Sequence, residues 1–248
     1  MLETSPKEII NKAKQEILIK KSPENALEIL LQHEEIFNSG SGSKTGIYPE
    51  TLAFAYQEKK DYAKASELYC KSGNLYQSGF CELLQGNESE AKKLWDKCPP
   101  SPASQWGKCL LDFINLKSRP LVPSYLQVRN FLEMDISYFI TANKVRYAEN
   151  VIKNEEVLIS INLESYKLIG RVLLNYGFLN MSKKYLMKSI DLVDQDSETF
   201  FHLGQLYYEM KAYNDCITTL EKCLELNPNY IPAYHLTDKT RLKMASRA

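Results

Sequence analysis

Apolar residues recur at helical spacing along most of this chain. Between Ser197 and Tyr230, Phe200, Leu203, Leu206, Tyr207 and Met210 form one stripe of an amphipathic helix. Ser197 is its expected N-cap, and Glu198 suits the first turn. Lys211 and Ala212 interrupt the pattern. A second stripe then follows on Cys216, Leu220, Cys223 and Leu224, and Asn227–Pro228 stops it, because proline cannot continue the ladder. The spacing predicts a helical hairpin, with Gly204 and Cys216 small where its two helices cross.

The same pattern extends upstream. Segments 129–162, 163–196 and 197–230 align without gaps. Leu132, Tyr166 and Phe200 share one position, Ile136, Gly170 and Gly204 a second, and Phe139, Leu173 and Tyr207 a third. Ala148, Ser182 and Cys216 then align, as do Ile152, Leu186 and Leu220. Ile136 in place of glycine predicts a looser helix crossing in 129–162. Nearer the N-terminus, Ser5, Pro6 and Glu8 start a capped helix to about Lys20. A second is carried by Ala26, Ile29, Leu30 and Ile36. Residues 38–47 read as a flexible linker on composition. From Tyr48 the repeat returns on Leu52, Ala53, Tyr56, Ala65, Tyr69 and Ser72. A compressed unit on Gly79, Gly86, Ala91, Trp95 and Cys98 follows. Prolines 99, 100, 102, 120 and 123 make 99–128 the least regular part, a single helix in a hinge-like connection. After Tyr230 one more helix runs to about Ala245, where Asp238 and Arg241 mark a solvated cap over the last open face.

An aromatic residue, then Leu-Gly, Tyr, small, bulky, small and a closing proline resembles the tetratricopeptide repeat. Phe200, Leu203, Gly204, Tyr207, Cys216, Leu220, Cys223 and Pro228 carry the resemblance. It implies an all-α, right-handed solenoid of roughly six hairpins: degenerate hairpins over 1–98, a connection over 99–128, three units over 129–230, and a capping helix over 231–248. One hairpin cannot bury its apolar face alone, so neighbours must stack on it. The resemblance also implies a concave groove lined by first helices and used to bind a peptide or protein segment. Carried over by position, its partner-binding residues are Lys167, Arg171, Asn175, Phe201, His202, Gln205, Tyr208, His235 and Lys239, with Glu133, Met134, Ser137, Ile140, Leu168, Leu174 and Glu209 beside them. Phe201 and Tyr208 are expected to capture side chains or, alternatively, to pack on neighbouring helices. Lys167 and Arg171, one turn apart, are expected to hold a carboxylate. The clamp by which some members hold a C-terminal carboxylate does not match: Arg171, His202, Pro232 and Leu236 stand where it needs other residues.

Composition narrows the rest. Lys plus Arg and Asp plus Glu are both 31, so the formal net charge is zero. That balance argues against broad binding to nucleic acid or anionic membrane, although Lys239, Arg241, Lys243 and Arg247 gather near the end. No run approaches a membrane span, and Met1–Lys12 lacks the pattern of a secretory signal. The six cysteines, two of them at repeat core positions, read as reduced thiols of a cytoplasmic protein. His33, His202 and His235 are scattered, without metal-pair spacing. Around Lys44–Thr45 the glycines of a phosphate loop are missing, and Asp191–Glu198 lacks the glycine and glutamate of a calcium loop. The expectation is a non-catalytic adaptor or scaffold with no cofactor and no metal. Self-association through the N-terminal hairpins or the cap is the alternative, and an enzyme subunit a remote one.

Overall fold

The computed structural model describes residues 5–39 and 46–246. Among them are sixteen helices and no strand. The linker assigned to 38–47 and the residues Lys44, Thr45 and Arg247 fall wholly or partly outside the described segments. The fold is an all-α solenoid of stacked hairpins closed by a C-terminal helix. It divides into two compact units, residues 1–112 and 113–248.

The first unit opens with α1 (Pro6–Leu18), whose capping box joins Ser5 and Glu8 in both directions. It pairs with α2 (Pro23–Gln32), and α3 (Glu34–Ser39) follows. Ile9, Ala13, Ile17, Leu27 and Leu30 make their common core. The next helices are α4 (Ile47–Glu58), α5 (Tyr62–Lys71), α6 (Leu75–Gln85) and α7 (Glu88–Lys97). In α8 (Pro102–Ile114), Gly107 faces the indole of Trp95 on α7, and Gly79 on α6 faces it from the other side. A Cβ at either glycine would come within 2.6 Å of the ring, so both sites demand the absence of a side chain.

In the second unit, α9 (Tyr125–Thr141) begins four residues earlier than the aligned unit 129–162, held by a capping box between Ser124 and Gln127. Its partner is broken into α10 (Val145–Ile152) and α11 (Glu155–Ile161). Asn154 accounts for the break. Its side chain donates to the Asn150 carbonyl, 2.8 Å away, which a continuing helix would have offered to the Asn154 amide. That amide bonds Val151 instead, tightening the last turn. The pair α9–α10 is in contact over a shorter length than the hairpins that follow, α10 having eight residues against fourteen in α13 and α15.

Those hairpins are α12 (Ser165–Asn175) with α13 (Leu179–Leu192), and α14 (Ser197–Glu209) with α15 (Tyr213–Leu226). Their crossings repeat one geometry. A Cβ on Gly170 would lie 2.7 Å from Leu186 Cγ, and one on Gly204 would lie 2.6 Å from Leu220 Cδ2. The bulky residue sixteen positions on fills the place of the absent side chain, as Trp95 does for Gly79. Helix α16 (Ile231–Ala245) packs on α15, with Cys216 Sγ 3.4 Å from Thr240 Oγ1. Asp196, not Ser197, caps α14: its Oδ1 accepts from the Glu198 amide.

Candidate functional site

The first helices of the second unit, α9, α12 and α14, are tied together by an ion network. Arg171 on α12 donates through Nε to Glu133 Oε1 of α9 at 2.8 Å, and through Nη2 to the other Glu133 oxygen. Its Nη1 reaches Glu198 Oε1 of α14 at 3.0 Å. One turn earlier, Lys167 Nζ lies 2.8 Å from Glu198 Oε2, 3.0 Å from Asp196 Oδ2 and 3.2 Å from Glu164 Oε1. Lys167 is only 5% exposed, a burial that lysine tolerates only when paired. His202, one turn beyond Glu198, has Nδ1 2.8 Å from Gln205 Oε1 and Nε2 3.7 Å from Glu198 Oε1.

In this arrangement both cations are already paired. Lys167 and Arg171 do hold carboxylates, Arg171 in the bidentate form, but the carboxylates belong to this chain. Glu164 and Glu198 both occupy the second position of the repeat register, and Asp196 lies just before it. That register was the signal that could have revealed them. Phe201 and Tyr208 take up the packing alternative. Both are half-buried and pack against the core of α15 and α16. The Phe201 ring lies 5.1 Å from that of Tyr230, and the Tyr208 ring lies 5.8 Å from that of Tyr213. Lys239 Nζ sits 4.6 Å over the Tyr208 ring, a cation–π contact at the exposed edge of α16. His235 is exposed on the same helix.

Asn175 and Gln205 meet in an open depression of about 400 Å³ walled by Leu174, Gly177, Leu179 and Glu209. It brings two amides and a carboxylate beside the side chains of Leu174 and Leu179. Gly177 has a φ of 76°, in the left-handed region, and so turns the chain between α12 and α13 beside this opening. A second depression of about 400 Å³ lies in the first unit, floored by Ile10, Phe37 and Tyr48 and edged by Lys7 and Lys14.

The network sets the charge states within it. The nearby His202 ring, against the opposing effect of burial, and then Lys167 hold the Glu198 carboxyl far below the usual range. Asp196 is also lowered: burial would raise it, but Thr199 and Lys167 outweigh that effect. Burial would lower Lys167, yet Glu198 and Asp196 push it up. Carboxylates depressed on folding contribute stability above their ordinary range, and lose it as pH falls toward their folded values. The thermal midpoint is therefore expected to drop between about pH 4.5 and pH 2.5. Melts of Glu198→Gln followed by circular dichroism should show a shallower drop. Parallel curves for the two proteins would remove Glu198 from this linkage.

The described thiols are all free, and those of Cys81, Cys109, Cys216 and Cys223 are buried. Burial pushes Cys109 and Cys223 up to about 11, away from the reactive thiolate. Among the described residues no group of three His, Cys, Asp or Glu side chains is placed to hold a metal ion, and no helix is long and apolar enough to cross a membrane.

The family model for the tetratricopeptide repeat matches α14, α15 and the turn after them, residues 197–230. Those residues therefore make up one tetratricopeptide repeat of this chain. Such repeats generally mediate protein–protein interaction and are generally non-catalytic. Among curated proteins no sequence matches the chain. Among solved structures, the Cut9–Hcn1 hetero-tetramer of the APC/C is similar at 12% identity over 94% of this chain and 42% of that one, with a TM-score of 0.39. The chain thus spans less than half the length of that relative. YrrB, a tetratricopeptide-repeat protein with an unusual peptide-binding site, is similar at 12% identity over 83% and 97% of the two chains, with a TM-score of 0.40. A tetratricopeptide-repeat protein of Parabacteroides merdae is similar at 14% identity over 95% and 98%, also at 0.40.

Proposed function

We propose that this tetratricopeptide-repeat protein is an adaptor that holds a protein segment on the face formed by α9, α12, α14 and α16. In this reading residues 129–230 carry the interaction, 231–248 close the stack, and the protein works in the cytoplasm. The observation that carries it is the depression between α12 and α14, where Asn175 and Gln205 lie beside Leu174 and Leu179. The Asn175 amide and the Gln205 Nε2 group, beside the side chains of Leu174 and Leu179, suit an extended peptide, since they can bond its backbone while the leucines take a side chain. Lys167 and Arg171 act indirectly: by fixing α12 against α9 and α14, they hold the walls at constant separation. Tyr208 and Lys239 supply the edge on α16.

A photo-crosslinking residue placed at Asn175 or Gln205 tests the reading in native extract, with the same residue at Lys222 on the exposed face of α15 as control. Crosslinks to a defined segment of another protein are expected from the first two positions and not from the third. Crosslinks from Lys222 alone would overturn it.

A further inference from the structure

We infer that the depression in the first unit binds an acidic protein segment, taking one of its apolar side chains between two of its carboxylates. The site is lined by α1, α3 and α4 alone and does not depend on the groove proposed above. Its first support is an apolar opening that the fold leaves unfilled. About 400 Å³ lies beside Ile10, Phe37, Ile47 and Tyr48. The Phe37 and Tyr48 rings stack at 4.1 Å, and both belong with Ile10 to the core of this unit, so the wall they form is fixed. Ile47, in contrast, is 48% exposed in the same opening. Covering it with a partner's apolar side chain removes both surfaces from water. The connection from α3 to α4 does not supply that side chain: residues 40–45 are Gly-Ser-Gly-Ser-Lys-Thr, with no large apolar group and no carboxylate.

The second support is the charge around the opening. Lys7 and Lys14 line it from one face of α1, seven residues and therefore roughly 10 Å apart. Both are exposed, and neither makes a hydrogen bond or ion pair among the described residues. Lys20, just past the same helix, is instead held by Glu16 at 2.6 Å. No acidic residue is among the described residues that line the opening. Ile47 and Tyr48 also begin α4, whose N-cap Gly46 has no side chain to offer the first amides. The positive end of that helix adds to the two lysines. Glu50 of the same turn is engaged by Asn74 Nδ2 at 3.3 Å. Apolar surface between two unpaired cations complements an apolar side chain between two carboxylates, and the separation of the lysines favours such a segment over the single head group of a fatty acid.

A display library of random peptides, selected against the full chain, tests this. Acidic peptides with an apolar residue between the acids are expected among those selected. They should bind at least about tenfold more weakly to the double variant Lys7→Glu, Lys14→Glu. Both lysines are exposed, so the variant should keep its helical content by circular dichroism. Ile47→Ser should weaken the same peptides at least about threefold. The double variant Lys12→Glu, Lys21→Glu makes the same change of charge outside the opening, and should leave binding within about twofold. Equal losses from the two double variants would reduce the effect to overall charge and overturn the inference. A selection without acidic members, or acidic peptides indifferent to Ile47→Ser, would do the same. So would oleate binding with no acidic peptide enriched, which would give the opening to an amphiphile, and acidic peptides bound only after deletion of residues 1–4, which would give it to this chain's own Leu2 and Glu3.

Discussion

Trp95→Ala is expected to destabilise the protein by about 4 kcal/mol, the range for removing a fully buried large aromatic side chain. The ring is 0% exposed and is pressed between the bare backbones of Gly79 and Gly107. Its Nε1 donates to the Tyr76 carbonyl at 3.0 Å, and its face stacks on the Tyr76 ring at 6.0 Å. The two glycines make the loss severe, because neither has a side chain that can turn into the space the indole leaves. Hydrogen exchange should show the largest loss of protection in α6, α7 and α8, since contacts in a stacked array are made with neighbours. Urea denaturation with hydrogen exchange checks both points. A loss below about 1 kcal/mol would mean that the glycine faces close on one another.

The pairing of Gly79 with Trp95 was legible in the sequence, because it repeats the spacing of Gly204 with Leu220. Repeat position fixes which residue is small and which is bulky, and steric exclusion does the rest. The same reasoning located α12 to α16 closely. It was less successful where a single side chain decides. Asn154 splits the second helix of its unit through one bond to the Asn150 carbonyl, and apolar periodicity contains no trace of that competition. At the candidate site, the register placed Lys167, Arg171, His202 and Gln205 on one side of the stack. It did not show which groups pair, because Lys167 and Glu198 are 31 residues apart and their meeting depends on how one hairpin stacks on the next. Phe201 and Tyr208 illustrate the same limit. Their offset from the buried stripe left capture of a partner and packing on neighbouring helices both open, and the structure packs both rings against the core of α15 and α16.

Lys167→Met should cost about 3 kcal/mol, near the lower end of what breaking a buried ion pair costs. The replacement keeps most of the aliphatic stem, so the effect isolates the charge. Without the ammonium group, Asp196, Glu198 and Glu164 face one another with Arg171 as the remaining cation of the network. Their partial exposure lets water take up some of the unbalanced charge, which keeps the cost from the upper end of that range. Arg171→Gln should cost less, since the Arg171 side chain is 28% exposed against 6% for Lys167. The double variant Lys167→Met, Glu198→Gln should recover at least about 1 kcal/mol relative to the sum of the single losses, because each substitution removes the penalty left by the other. Equilibrium denaturation of the four proteins measures that coupling directly. Additive losses would show that Lys167 stabilises through its stem alone. A strong coupling would mean that the charges lock α12 to α14, and with them the separation between Asn175 and Gln205 on which the proposed groove depends.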